Sequence, residues 1–214
     1  MQACIRLAAS LLAGMLSLSA HALAIVPIFN FTFDSNAQGW TVFDGGNMTW
    51  QGAGGNGGGH LQISDLNDGD FQLDAPSTAL GNLSFYFGGS LSFDARNIDG
   101  ATPDWAGFGQ ITITGANGTG TLIVDTIPLG QPGIGAGWQR YSVPLTTAIW
   151  GASLPTVLAN VARLSIEAEF HAGQPELVGV DNISITAVPE PADWVLMLAG
   201  LGVVAAFTRR RARA

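Results

Sequence analysis

Lysine is absent from the 214-residue chain, and all eight of its basic residues are arginines. Without lysine, the chain cannot build a phosphate-binding P-loop or form a Schiff base with a carbonyl substrate. The single cysteine, Cys4, lies near the start, so a mature chain without it has no disulfide, no thiol nucleophile and no metal–sulfur ligand. Charged residues make up only 11% of the chain, which excludes a bundle of Ala-, Glu- and Lys-rich helices and a charged, disordered chain.

The charges are distributed unevenly along the chain. Five arginines lie at its two ends, whereas residues 25–187 hold three arginines against fourteen acidic residues, a net charge of −11. Nucleic-acid binding requires clustered basic side chains to neutralise phosphates. This composition therefore excludes a nucleic-acid partner.

The first 24 residues have the pattern of a secretory signal peptide. Arg6 precedes an apolar run at 7–20, and Ala22-Leu23-Ala24 is the small-x-small sequence that signal peptidase accepts. A buried or membrane-spanning helix is the alternative, but the run is short for a span and polar, strand-like sequence follows it. We predict export and cleavage after Ala24.

The C-terminal residues 188–214 combine three features in a fixed order. The triplet Pro189, Glu190 and Pro191 precedes an apolar segment at 194–207 that ends in an arginine cluster. As a helix this segment would rise about 21 Å, short of the roughly 30 Å hydrocarbon core. We expect a transmembrane helix helped by local thinning of the bilayer, with its C-terminus in the cytoplasm. The residues expected to flank this anchor are Trp194, Arg209, Arg210, Arg211 and Arg213.

This tail resembles the PEP-CTERM sorting signal of Gram-negative bacteria. The resemblance implies that exosortase, an integral-membrane enzyme, recognises Pro189, Glu190 and Pro191 and passes the body of the protein to the cell surface. An ordinary C-terminal anchor is the alternative, but such an anchor needs no triplet. We expect a membrane-anchored precursor whose product reaches the surface or the extracellular matrix.

Residues 25–187 read as one all-β domain. Residues 164–170 alternate strictly, with Leu164, Ile166, Ala168 and Phe170 on an expected core face and Glu167 and Glu169 on an expected solvent face, where Arg163 could pair with one of them. Only 154–161 reads as a helix. The regular spacing of short strands and turns predicts a β-sandwich of the jelly-roll or carbohydrate-binding-module kind. Further strand-like runs lie at 29–33, 40–43, 60–63, 83–87, 90–95, 110–114, 121–124, 138–143 and 178–186.

The order of landmarks in this body resembles the laminin IV type A (laminin B) domain. The resemblance implies an extracellular β-sandwich akin to carbohydrate-binding modules, implies no catalysis, and gives four tryptophans structural positions. The glycine-rich stretch 52–59 departs from the pattern. The matching landmarks are Phe33-Asp34-Ser35, Gly39-Trp40, Trp50, 57–61, 75–77, Leu80-Gly81, Tyr86, 88–94, Trp138, 141–145, Trp150 and 180–183.

Asp34 and Asp181 are the candidate metal ligands. Asp34 follows the first predicted strand and Asp181 lies in the last, so the two meet if these strands are neighbours. Carboxylate and carbonyl oxygens suit Ca²⁺, and similarity to calcium-bearing carbohydrate modules suggests a structural calcium here. The alternative is that Asp34 caps a turn and Asp181 accepts backbone amides.

Catalytic patterns are weak in this sequence, and no catalytic residue is assigned. Glu167 and Glu169 lie about 6.6–6.8 Å apart at Cα on one strand, near the separation of an inverting glycosidase pair, but catalysis requires carboxylates on opposite sides of the scissile bond. Gly52, Gly54 and Gly57 match a dinucleotide-binding spacing without the strand and helix it needs. His60 and His171 alone do not make a zinc site.

Trp105 is the one candidate for ligand contact. Exposed aromatic rings stack on sugar faces, and Trp105 lies in a polar loop without a counterpart in the laminin-type pattern. The alternative is a loop residue packed onto the core. Three functions therefore remain open: a non-enzymatic module that binds polysaccharide in the envelope or exopolysaccharide matrix, an extracellular polysaccharide-active enzyme, and a structural coat protein without a small ligand.

Overall fold

The computed structural model describes residues 29–65, 69–173, 175–188 and 200; the predicted signal peptide, the Pro-Glu-Pro triplet and the apolar C-terminal segment lie outside the described residues. Two antiparallel sheets confirm the predicted all-β sandwich. Sheet A contains β1 (Phe29–Phe31), β3 (Gly46–Gln51), β4 (His60–Asp65), β6 (Ser90–Asn97), β9 (Gln139–Pro144) and β11 (Leu177–Thr186). Sheet B contains β2 (Thr41–Phe43), β5 (Gln72–Asp74), β7 (Ile111–Gly115), β8 (Thr121–Val124) and β10 (Val161–Glu167).

Strand β11 lies at the centre of sheet A, whose order is β3-β4-β11-β6-β9. One side of β11 pairs with β6, and its other side pairs first with β4 and then with β1. In the β1 pairing, Phe29 lies opposite Ile185. The start of β1 and the end of β11 therefore lie at the same end of the sandwich. Sheet B has the order β2-β5-β10-β7-β8.

The core lies between the two sheets and follows the alternation of the strands. Leu164, Ile166, Ala168 and Phe170 are each at most 1% exposed, as the sequence pattern predicts. Trp40 is also buried and packs edge-on against Phe31 and Phe33. Two short helices, α1 (Thr147–Trp150) and α2 (Leu154–Leu158), close one end. In the described ranges, no helix is both long and apolar enough to cross a bilayer.

Several elements differ from the sequence expectation. The helix expected at 154–161 ends at Leu158, and it is not the only one, because α1 precedes it. Residues 83–87 form a 3₁₀ turn (Ser84–Tyr86) instead of a strand, because the buried Leu83 and Tyr86 are three residues apart and face the core together. Strands β3 and β5 are not evident from the sequence. The first starts in a glycine-rich turn, and the second is only three residues long.

Residues 52–59, called here the glycine loop, connect β3 to β4 and lie in a crowded space. A Cβ atom on Gly59 would collide with the carbonyl oxygens of Phe33 and Gln51, which are backbone atoms and cannot turn aside. Only glycine fits at this position.

We expect Gly59→Ala to destabilise the fold by about 1–3 kcal/mol, because the added methyl group forces the loop away from β1 and β3. The measurement is the melting temperature of the purified protein. Gly133→Ala is the matched control, since its Cβ would meet its neighbours at 3.4–3.5 Å, an ordinary contact distance. Equal melting of both variants and the wild type would show that the loop does not occupy this space.

Candidate functional site

The glycine loop lies over the outer face of sheet A, where one indole group binds the loop and a second binds the neighbouring segment at Phe33. The Nε1–H of Trp50 donates to the carbonyl of Phe33 at 2.7 Å, and that of Trp138 donates to the carbonyl of Gly54 at 3.1 Å. The Trp138 ring also packs edge-on against His60, with ring centroids 5.4 Å apart. These two tryptophans therefore hold the chain in place.

The loop covers an interruption in β11. The pairing of β11 with β6 shifts register between Asp181 and Ser184, and Asn182 has a positive φ of 49°. Asp181 accepts the backbone amides of Asn56 and Asn182, both at 2.7 Å. Asp94, directly across from Asp181, accepts the side-chain amides of Asn56 and Asn182 and pairs with Arg140 at 3.1 Å. Asp94 and Asp181 are each only 1% exposed, so these bonds compensate two buried carboxylates.

Asp34 reaches the same loop from the other side. Its Oδ2 accepts the hydroxyl of Thr32 at 2.7 Å, and its Oδ1 lies against Gly58, while Asp181 lies against Gly55. Burial raises the pKa of the Asp181 carboxyl, and the charges of Asp94 and Asp34 add to this rise. These oxygens are of the type that Ca²⁺ prefers, but both carboxylate oxygens of Asp181 already accept amides. Among the described residues, no three acidic or histidine side chains are gathered as a metal-binding set. The calcium site at Asp34 and Asp181 stays a prediction.

The outer face of sheet B carries a second group of polar side chains, called here the sheet B face. Arg163 donates through Nε to both carboxylate oxygens of Asp74 at 3.1 Å and through Nη2 to Gln72 at 2.9 Å. Ser165 donates to the same Gln72 oxygen at 3.3 Å. The Arg163 guanidinium also lies 5.1 Å from the ring centroid of Phe43, which is 57% exposed. The expected pairing of Arg163 with Glu167 or Glu169 is wrong, since antiparallel register places Asp74 next to it.

Threonines extend the sheet B face towards its edge. Thr114 and Thr121 face each other across β7 and β8 with their hydroxyls 3.1 Å apart. Ile123 on the edge strand is 59% exposed. The sheet B face is not evident from the sequence. The strand β5, which places Gln72 and Asp74 beside Arg163, has only three residues, too few to show the alternation that predicts a strand.

The end of the sandwich at which β10 ends and β11 begins is rich in carboxyl groups, and it is called here the acidic end. The expectation that Glu167 and Glu169 are solvent-facing is wrong. They are 5% and 3% exposed, and Glu176 is 2% exposed. Strand alternation does point Glu167 out of sheet B, but the side chain is buried there, and the charge of Asp70 lies nearby.

Burial shifts these three carboxyls towards the neutral form near pH 7. Burial raises the pKa of Glu167 to about 8, that of Glu169 to about 7 and that of Glu176 to about 8, and neighbouring acids add to each rise. Glu176 accepts the amides of Phe170 and His171 and so holds the turn before β11. Within the described part, one oxygen each of Glu167 and Glu169 is buried without a hydrogen-bond partner.

Trp105 lies at the acidic end, partly buried. Its amide donates to the carbonyl of Phe170 at 3.0 Å, and its ring packs over Gly107. Its Nε1 is buried and, among the described atoms, has no hydrogen-bond acceptor. The neighbouring Asp104 binds the amide of Ala172 and the ring of His171. The structure therefore places Trp105 away from the sheet B face, and ligand contact by Trp105 stays a prediction.

We expect the fold to lose stability as the pH rises from about 5 to about 9. The carboxyls of Glu167, Glu169 and Glu176 have a higher pKa folded than unfolded, so their contribution is fully present below the unfolded value of 4.5 and is lost as the pH rises through 7 to 8. Each unit of pKa shift corresponds to about 1.4 kcal/mol, and about 1 kcal/mol moves the melting temperature by about 2–4 °C for a domain of this size.

The measurement is the melting temperature as a function of pH for the wild type, Glu169→Gln and Asp125→Asn. Glu169→Gln flattens the alkaline decline, because a neutral amide has no proton to lose. Asp125→Asn removes an exposed acid at the same end and leaves the profile of the wild type. A wild-type melting temperature that is constant to pH 9 would contradict neutral, buried carboxyls.

The C-terminal tail matches a known family. The PEP-CTERM protein-sorting motif matches residues 187–212, which include Pro189, Glu190, Pro191 and the start of the arginine cluster. This confirms the sorting signal read from the sequence, and the motif is that of an exported protein processed by exosortase. Signal-peptidase cleavage and membrane anchoring stay predictions. No curated protein matches the chain at a significant level.

Solved structures resemble the sandwich. The L4b domain of human laminin alpha-2 has a TM-score of 0.57 at 13% identity, over 77% of this chain and 99% of that domain. An exo-beta-agarase has a TM-score of 0.53 at 15% identity, but the match covers 76% of this chain and only 26% of the agarase. A family 11 carbohydrate-binding module of a Clostridium thermocellum cellulase scores 0.47 at 15% identity, over 77% of this chain and 97% of the module. At such identities the likeness shows a shared β-sandwich fold, and the laminin-type family stays a prediction.

Proposed function

We propose that the chain is an exported surface protein that binds a neutral polysaccharide through the sheet B face, without cleaving it. The observation that carries this proposal is the exposed Phe43 ring beside a fixed set of hydrogen-bonding groups on Arg163, Asp74 and Gln72. The β-sandwich fold and the sorting motif support it, because both suit a module displayed outside the cell.

The sheet B face has the chemistry that sugar recognition requires. A sugar ring offers an apolar face to an aromatic side chain and hydroxyl groups to donors and acceptors. The carboxylate of Asp74 and the guanidinium of Arg163 fix each other's positions, so few rotamers are lost when a ligand binds. The hydroxyls of Thr114 and Thr121 continue the polar surface along the sheet.

Charge favours a neutral ligand. Arg163 is already paired with Asp74, so the sheet B face has no free cation to attract an anionic polymer. The body as a whole is strongly acidic and repels polyanions. A neutral polysaccharide of the envelope or matrix is therefore the ligand class that we propose.

Burial of the glutamates argues against an enzyme. A raised pKa of the kind found at Glu167 suits a general acid, which keeps a polysaccharide-active enzyme as the rival function. A general acid must reach the glycosidic oxygen, however, and Glu167 and Glu169 are almost completely covered. The two residues are also only two positions apart in the chain, whereas glycoside hydrolysis needs carboxylates on two sides of the bond. A structural coat protein is the third alternative.

We expect Phe43→Ala and Arg163→Ala each to weaken polysaccharide binding by about tenfold or more, which corresponds to about 1.4 kcal/mol. Affinity gel electrophoresis of the purified protein in a series of soluble neutral polysaccharides measures the retardation. Phe87→Ala is the matched control, because Phe87 is also half exposed but lies in the segment before β6, outside the sheet B face. Melting temperatures of all variants exclude misfolding.

Three outcomes of this experiment contradict the proposal. Unchanged retardation of Phe43→Ala together with loss for Trp105→Ala would move the site to the acidic end. Shortened polysaccharide after incubation with the wild type but not with Glu167→Gln would make the protein an enzyme. No retardation in any neutral polysaccharide would favour the coat protein.

We also propose a structural calcium ion at Asp34 and Asp181. Added calcium should raise the melting temperature of the wild type, and chelator should reverse the rise. At a calcium concentration a hundredfold above the dissociation constant, the free energy of unfolding should increase by about 2.7 kcal/mol. Asp181→Asn should abolish the response, whereas Asp125→Asn should retain it. An identical melting temperature with calcium and with chelator would remove both residues from the site.

A further inference from the structure

The end of the sandwich at which the chain enters and leaves carries no charged side chain. This surface, called here the exit end, consists of Phe29 and residues 77–90, 144–161 and 184–188, none of which is Asp, Glu, Lys, Arg or His. The amide of Phe29 donates to the Tyr86 hydroxyl at 3.0 Å, Gly88 donates to the Leu145 carbonyl at 2.8 Å, and Leu83 donates to the Leu158 carbonyl at 2.7 Å. These bonds join the segments into one continuous surface.

The opposite, acidic end has the reverse composition. Strand β10 ends there and β11 begins there, whereas β11 finishes at the exit end. The strands and loops of the acidic end carry nine of the described acidic residues. They are Asp44, Asp65, Asp70, Asp99, Asp104, Asp125, Glu167, Glu169 and Glu176. The sandwich is thus polarised along its strands, with carboxyl groups at one end and neutral side chains at the other.

The exit end also exposes large apolar side chains. Phe87 is 44% exposed, Ile149 is 41% exposed and Val188 is 54% exposed. Val188 lies beside Gly88, the residue after Phe87, so these two side chains belong to one patch. Ile149 lies in α1, a few residues beyond Leu145, which binds Gly88. Large apolar side chains are also exposed at the acidic end, which carries carboxyl groups, whereas the exit end combines such side chains with an absence of charge among its described residues.

The length of the chain beyond Val188 limits how far the exit end can be from a membrane. Five residues lie between Val188 and Trp194, the predicted interfacial residue, so the six steps from one to the other reach at most about 22 Å. The start of β1, which follows the predicted signal peptide, lies at the same end. The described body of the chain therefore starts and stops at one end of the sandwich, at Phe29 and Val188.

We propose that the exit end is a membrane-facing surface, on which Phe87, Ile149 and Val188 contact the lipid interface while the precursor is anchored. This inference rests on the exported, anchored precursor of the proposed function and names the surface that faces the bilayer. An uncharged surface suits that position, because surfaces with anionic lipids repel carboxylates, and most of the described carboxyls lie at the other end. Apolar side chains gain free energy when they leave water at the interface.

The test uses the full chain with Cys4→Ser, which has no other cysteine, and adds one cysteine for an environment-sensitive fluorophore. Labels at Phe87→Cys and Ser84→Cys report on the exit end, and a label at Asp99→Cys reports on the acidic end. Ser84 is exposed, so its variant keeps the experiment valid if the loss of Phe87 disturbs the fold. The chains are reconstituted in vesicles of phosphatidylethanolamine and phosphatidylglycerol, with a quencher attached to lipid headgroups.

We expect blue-shifted emission and strong lipid-dependent quenching at positions 84 and 87, and neither effect at position 99. Aqueous emission at all three positions, from chains that float with the vesicles, would overturn the membrane-facing surface while leaving anchoring intact. Chains that do not float with the vesicles would contradict the anchored precursor instead. Protection at 84 and 87 that requires co-reconstituted exosortase would overturn the lipid contact and assign the surface to the enzyme.

Discussion

The architecture of the sandwich depends on β11, which pairs with three other strands. One side of this ten-residue strand is paired with β6, and its other side must serve both β4 and β1. Among the described residues, no strand pairs with β11 on this side at Asp181 and Asn182, so their polar groups must be satisfied in another way. The Asp181 carboxylate accepts the backbone amide of Asn182, and Asn56 of the glycine loop binds the side chains of both residues. Only a chain rich in glycine fits so closely between Asp34, Asp181 and the neighbouring carbonyls.

The burial of carboxyl groups is compensated in different ways in the two sheets. Asp94 and Asp181 accept several amides each, and Asp94 has Arg140 beside it, so hydrogen bonds compensate their burial. Glu167 and Glu169 have no cation in salt-bridge range among the described residues, and their burial is tolerated through protonation. The hydrogen-bonded Asp94 and Asp181 therefore have a structural role at neutral pH, whereas Glu167 and Glu169 make the acidic end sensitive to alkaline conditions.

Sequence reasoning identifies what depends on local pattern. The alternation of residues 164–170, the Asn117-Gly118 turn with both φ angles positive and the sorting motif are all readable in the chain. Burial on the outer side of a sheet is not readable, because it depends on loops that arrive from distant positions. Glu167 and Glu169 look like a solvent-facing pair for this reason, and the sheet B face is hidden because Gln72, Asp74 and Arg163 meet only through the short β5.

The polarity of the sandwich also determines how the sheet B face is presented. Because the strands run from the exit end to the acidic end, a membrane-facing exit end places them steeply to the bilayer, with the sheets standing upright. The proposed sheet B face would then point sideways, parallel to the membrane and away from the exit end. On both proposals, a polysaccharide could reach Phe43 and Arg163 while the precursor is anchored. Membrane contact and ligand binding would use different surfaces of one small domain, so neither would need to be completed before the other.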